Sequence, residues 1–165
     1  GNIETDLRPF ETYAEARREF LGHIGCEGSC RDPLAEFSEW IVNKELNGKL
    51  AESRTQKGYD LVRPDGRRVQ VKYLSNPSSS WINGHRVLFT EDMDQYAIVF
   101  YEAMALTAIV IFSRETIGDV CRELGKRHPD QNRCLDVYKK NLDAILSDPE
   151  RFEELGVEVY VPSET

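Results

Sequence analysis

No stretch of this chain is apolar for long enough to cross a bilayer, and no basic-then-apolar leader opens it. Neither a membrane span nor a secretory signal is therefore expected, and a cytoplasmic location is. Cysteine is scarce as well. The four present, Cys26, Cys30, Cys121 and Cys134, fit reduced thiols better than a disulfide framework. His23, Cys26 and Cys30 offer three potential zinc ligands in a glycine-rich stretch, but no second pair at matching spacing follows. Closed structural zinc sites use four ligands, so none is expected here. Repeats, low-complexity tracts and linkers are also missing, which leaves 165 residues as one domain able to bury a core unaided.

Positive charge is in short supply overall. The formal net charge of −8 argues against a nucleic-acid partner. Its distribution argues the other way. Between Lys49 and Arg86 eight basic residues face three acidic ones, whereas from Asn141 onward seven acids face one arginine. A locally basic segment is what contacts to a phosphate backbone require.

Residues 10–21 carry an amphipathic helical pattern, ended by a Gly/Cys loop over 22–31. Asp32 before Pro33 forms an N-cap followed by a proline suited to the first helical turn. The helix then runs to Leu46, with Leu34, Phe37, Trp40, Ile41 and Leu46 expected on its buried face and Asn47-Gly48 as its stop. Two strands, 59–63 and 67–74, are joined by the turn Pro64-Asp65-Gly66. A loop over 75–84 leads to a short strand at 85–89, and the apolar runs 95–101 and 106–112 read as central strands. Helices are expected at 116–126, 132–146 and 149–155, with a last strand or extended tail at 157–161. The fold class expected is α/β: a single domain with a mixed central sheet flanked by helices.

Chemistry concentrates in Gly58-Tyr-Asp-Leu-Val-Arg-Pro-Asp-Gly-Arg-Arg-Val-Gln-Val-Lys72. Side chains alternate along a strand, so Gln70 and Lys72 share one face and Val69 and Val71 the other. Asp60, on the partner strand, can reach the same spot. An acid, an amide carbonyl and an ammonium then converge, a set suited to a divalent cation and a scissile phosphate. The preceding helix carries two acids, Glu36 and Glu39, which at three residues apart share a face about 60° wide.

This order of helix acid, strand acid, Asp-Gly turn and QxK strand resembles the PD-(D/E)XK nuclease superfamily, in its D…QxK variant seen in Mrr-type enzymes. The resemblance covers residues 33–112, a restriction endonuclease-like core, and leaves 113–165 as a C-terminal helical extension. That extension could be a cap, a dimerisation surface (hence a possible homodimer) or a docking arm. The resemblance implies a metal-dependent endonuclease hydrolysing phosphodiester bonds in DNA, in restriction, defence or repair. Asp60, Gln70 and Glu36 would hold Mg2+ or Mn2+, and Lys72 would position or activate the attacking water. Glu36 is preferred to Glu39 because Asp60 follows it by two dozen residues. Gln70 stands where the family carries a carboxylate, which lowers the expected metal affinity. Nucleic acid would lie along Arg54, Lys57, Arg67, Arg68 and Arg86. The alternative is a catalytically silent nucleic-acid-binding or protein-interaction domain on the same fold. Trp81, alone at the centre of the 76–84 loop, either stacks on an unpaired base or folds back to anchor the loop.

Overall fold

The structure is a computed structural model that describes residues 3–52, 58–77, 80–127, 130 and 132–163. Arg54 and Lys57 lie outside the described residues. The chain opens with α1 (Ile3–His23) and α2 (Pro33–Leu46) and continues through β1 (Lys49–Leu50), β2 (Leu61–Val62) and β3 (Arg68–Asn76). After β4 (His85–Leu88) come the long strands β5 (Gln95–Glu102) and β6 (Ala105–Ser113). The remainder is α3 (Ile117–Glu123), β7 (Cys134–Val137), α4 (Lys139–Ser147), α5 (Pro149–Glu154) and β8 (Glu158–Tyr160). Among the described residues no helix is long and apolar enough to cross a membrane.

Six strands form a mixed central sheet in the order β1-β2-β3-β5-β6-β8. Only β3 and β5 run parallel; every other neighbour is antiparallel. Seven of the eight residues of β5 are buried, as a strand covered on both faces should be. Alternation splits its side chains between two cores. Ala97, Val99 and Tyr101 join Val69 and Val71 of β3 and Val42 and Leu46 of α2 on one face. On the other, Tyr96, Ile98 and Phe100 meet Ile117, Val120, Leu142, Ile145 and Phe152 from α3, α4 and α5.

The local signals around α2 act as expected. Asp32 caps it through the Leu34 N–H at 3.0 Å, and Asn47 closes it in the left-handed region at φ 51°. Pro64-Asp65-Gly66 turns the chain through Arg63 N–H to Arg67 O at 2.8 Å. One expectation fails. Residues 132–146 are not a single helix: Cys134–Val137 is a strand, paired antiparallel with β4, and α4 begins only at Lys139. Leu135 and Val137 bury against the core, and pairing with His85–Leu88 overrides the local helical pattern. The segment after 113 is also part of the main fold, since β8 pairs with β6 and the three helices cover one face of the sheet.

The β5–β6 connection has an unusual composition. Ala103 and Met104 form a two-residue loop with φ 47° and 68°, between the paired residues Glu102 and Ala105. Two positive φ angles are the requirement of a type I′ turn, which favours Asn-Gly. Ala103→Asn with Met104→Gly is therefore expected to stabilise the fold by about 1 kcal/mol, raising the melting temperature by roughly 2–4 °C. An unchanged or lower melting point by circular dichroism would contradict this reading of the turn.

Candidate active site

The site begins where β2 leaves β3. Their ladder is short, pairing Leu61 with Val69 and Val62 with Arg68, and the Asp60 N–H adds one more bond to the Val69 carbonyl at 2.9 Å. Beyond that point the strands part, and the edge of β3 would leave the Val71 N–H without a partner. Asp60 fills this gap with its side chain, Oδ2 accepting from Val71 N–H at 2.7 Å. Asp60 thus stands just before β2, at the fork, and is 5% exposed. Gly58, at φ +68°, bends the chain into this position; a Cβ there would sit 3.0 Å from Asp92 Cβ.

From one face α2 crosses the fork. Ala35, Ser38, Glu39, Val42 and Leu46 follow the spacing i, i+3, i+4, i+7, i+11, so they share one stripe. The C-terminal half of that stripe is apolar and packs on Val69 and Val71. Its N-terminal half is polar and overlies Asp60. The buried residues of the helix are Glu36, Ser38, Glu39, Val42 and Leu46, whereas Leu34, Phe37, Trp40 and Ile41, expected on the buried face, are half-buried. Ser38 Oγ lies 2.8 Å from Tyr101 Oη. Gln70 and Lys72 project from the opposite face of β3, as strand alternation requires, and reach the cleft because the sheet edge is open there. The resulting cleft of about 450 Å³ is lined by Arg31, Ser38, Glu39, Asp60, Gln70 and Lys72.

Glu39, not Glu36, meets Asp60. The carboxyl groups of Glu39 and Asp60 line the same cleft, and Glu39 lies near enough to push the Asp60 pKa up. Glu36, favoured on sequence spacing, lies outside the cleft lining and points to Arg31, whose Nη1 it accepts at 2.5 Å. The distinguishing signal was helical phase: Glu39 is in register with Val42 and Leu46, and Glu36 is not. Sequence reasoning missed Arg31 altogether. Its guanidinium holds Glu39 bidentately, Nη1 to Oε2 and Nη2 to Oε1, both at 2.9 Å. Those contacts drive the Arg31 pKa further up and keep it protonated.

Burial raises the Asp60 carboxyl to about 6, opposed by the Val71 N–H and reinforced by Glu39, with Lys72 pulling weakly the other way. Among the described residues no three His, Cys, Asp or Glu side chains come together at metal-ligand spacing, and this includes His23, Cys26 and Cys30. Magnesium asks for less: oxygen donors, with one or two carboxylates and several waters. Asp60, Glu39 and the Gln70 amide oxygen fit that demand, and two carboxyl groups forced together are the arrangement a divalent cation relieves.

The arginines expected to track nucleic acid are differently placed. Arg67 pairs with Asp65 at 2.7 Å, Arg68 with Asp94 at 3.1 Å and Arg86 with Asp136 at 2.7 Å. Each of the three therefore has a carboxylate at hand, and they form no bare cationic track. Tyr73 donates from its hydroxyl to Asp32, tying β3 to the start of α2, and that hydrogen bond together with burial pushes its pKa up to about 12. On the Lys72 side, His85 Nε2 lies 2.7 Å from Tyr96 Oη, and burial lowers the His85 pKa. Trp81 folds back: its ring stacks on Phe100 at 5.5 Å and its Nε1–H donates to Glu102 at 3.0 Å. It anchors the loop.

No family model matches the chain. An uncharacterized protein of Bacillus subtilis (strain 168), YnaC, is 28% identical over 132 residues, which is 79% of this chain and 49% of that protein. The chain thus spans about half the length of the curated relative it matches.

The raised Asp60 pKa makes a signed prediction. A carboxyl whose folded value exceeds its unfolded value of 3.8 contributes stability below that pH and loses it as pH rises through about 6. Asp60→Asn keeps an acceptor for the Val71 N–H and replaces the carboxylate contact with an amide donor to Glu39. In chelator, it is expected to stabilise the fold by about 2–3 kcal/mol at pH 7.5, with the gain vanishing below pH 4. Equal melting temperatures across this range would show that burial does not raise the Asp60 carboxyl.

Proposed function

We propose that this chain is a metal-dependent nuclease-like protein of the PD-(D/E)XK kind, hydrolysing phosphodiester bonds in DNA. The observation that carries the reading is the pair of buried acids, Asp60 at the β2–β3 fork and Glu39 above it, in one cleft with Gln70 and Lys72. A helix acid, a strand acid and a QxK strand are the parts the family resemblance asks for, in that order. The helix acid is Glu39.

Asp60 and Glu39 would hold Mg2+ or Mn2+, with the Gln70 amide oxygen as a third, uncharged donor. Such an ion, when bound, neutralises phosphate charge and lowers the pKa of water. The chain's own residues do the rest. The Val71 N–H fixes Asp60 Oδ2. Lys72, whose ammonium has no hydrogen-bond or ion-pair partner among the described residues, steers the attacking water or stabilises the charge that grows on the phosphate. The DNA partner is inferred from this chemistry rather than from surface charge.

A second reading, a silent binding domain on the same fold, is favoured by Gln70 and by the grip of Arg31 on Glu39. Turnover separates the two. The parent is expected to nick or cut DNA with Mg2+ or Mn2+ and not in chelator. Lys72→Ala should lower the rate by about 10²–10³-fold while keeping Mn2+ binding, and Asp60→Asn should lose both. Cleavage insensitive to chelator or to Lys72→Ala would contradict the assignment. Gln70→Glu adds a charge to the donor set and is expected to tighten Mn2+ binding about tenfold by calorimetry, since about 1.4 kcal/mol suffices for that factor. Unchanged binding would remove Gln70 from the donor set.

A further inference from the structure

The cleft contains one group that the proposed chemistry does not use, Arg31. Its backbone is pinned in the loop between α1 and α2: its N–H donates to Ser29 Oγ at 3.1 Å and its carbonyl accepts from Arg17 Nη2 at 3.0 Å. Its side chain is 43% exposed, over Glu36 and Glu39 at 3% and 6%. Three N–H donors of the guanidinium are committed to those two acids. Nε–H and the second Nη2–H have no acceptor among the described residues, and they belong to the exposed edge of a residue that lines the cleft.

We infer that Arg31 is a phosphate-binding residue of this cleft, held in reserve by Glu39 until a divalent cation takes Glu39 over. The inference rests on the metal-site reading above. Glu39 is clasped by the Arg31 guanidinium and lines the cleft beside Asp60. A cation at Asp60 recruits Glu39 and breaks the bidentate pair. Glu36 then keeps hold of Nη1, so the guanidinium stays at the cleft wall while the donors released from Glu39 turn outward. A planar guanidinium with two parallel N–H groups free matches a phosphate bidentately, which a lysine cannot do.

Formal charge supports the order of events. Among the described residues, Glu36, Glu39 and Asp60 against Arg31 and Lys72 leave one net negative charge, which disfavours a phosphate. A divalent cation reverses the sign. Metal first and phosphate second is thus built into the cluster, and by linkage each tightens the other. Glu36, buried and remote from Asp60, acquires a role as the positioning residue that keeps Arg31 in reach.

The test uses the full chain, Mn2+ titrated by calorimetry, and thymidine 5′-monophosphate as the phosphate probe. For the parent, the nucleotide is expected to bind only after Mn2+. Arg31→Gln removes a competitor for Glu39 and is expected to bind Mn2+ about tenfold tighter, while its Mn2+-loaded form binds the nucleotide at least tenfold more weakly. Because that variant leaves buried acids uncompensated, Arg31→Lys is measured beside it; it keeps the charge without the fork and should shift both affinities the same way by smaller factors. Parent-like values for both ligands in either folded variant, or weaker Mn2+ binding, would overturn the role of Arg31 while leaving the metal site standing. A parent that binds no Mn2+ would overturn both.

Discussion

Asp60 Oδ2 accepting the Val71 N–H is the contact on which the rest of this architecture turns. A sheet edge with an unmet N–H is costly when buried. Here the edge opens in the interior because β2 stops after two paired residues. A carboxylate in place of the missing strand settles the hydrogen bond, but it brings a charge into a site 5% exposed. Everything nearby responds to that charge. Glu39 adds to it, Lys72 and Arg31 offset it, and the opening lets side chains from both faces of β3 reach one cleft.

The electrostatics of the chain are settled by tertiary partners rather than by stretches of sequence. The basic segment from Lys49 to Arg86 carries a surplus of positive charge on paper. In the folded chain Arg68 meets Asp94, 26 residues on, and Arg86 meets Asp136, 50 residues on. Arg63 is likewise matched by Glu158 of the acidic tail at 2.5 Å. Each such pair sets a carboxylate against a guanidinium and so weakens the local field that would draw in a polyanion. On the proposed reading, recognition of a phosphodiester would fall to the cleft itself, to Lys72 and to the cation that the carboxylates would gather.

Much of the fold was legible because short-range chemistry decided it. Asp32-Pro33, Asn47-Gly48 and Pro64-Asp65-Gly66 act through their own backbone neighbours, and the runs at 95–101 and 106–112 are apolar on both faces because β5 and β6 are covered on both. Cys134–Val137 was not legible, since its paired residues on β4 are 46 or more positions away. The cleft was half legible. Strand alternation placed Gln70 and Lys72 on one face, and Asp60 stood at the right place for the fork. Glu39 could have been chosen over Glu36 from its phase with Val42 and Leu46. Arg31 carried no signal: nothing in a Gly/Cys-rich loop announces a guanidinium aimed at two helix acids.

The central claim is that Asp60 and Glu39 are pressed together to hold a divalent cation. The most direct measurement is a crystal structure of the chain grown with Mn2+, read by its anomalous signal. The account predicts one strong peak in the cleft, at ligand distance from carboxylate oxygens of both Asp60 and Glu39, with Arg31 withdrawn from Glu39. A cleft with no peak at millimolar Mn2+, and Arg31 still seated on Glu39, would contradict it.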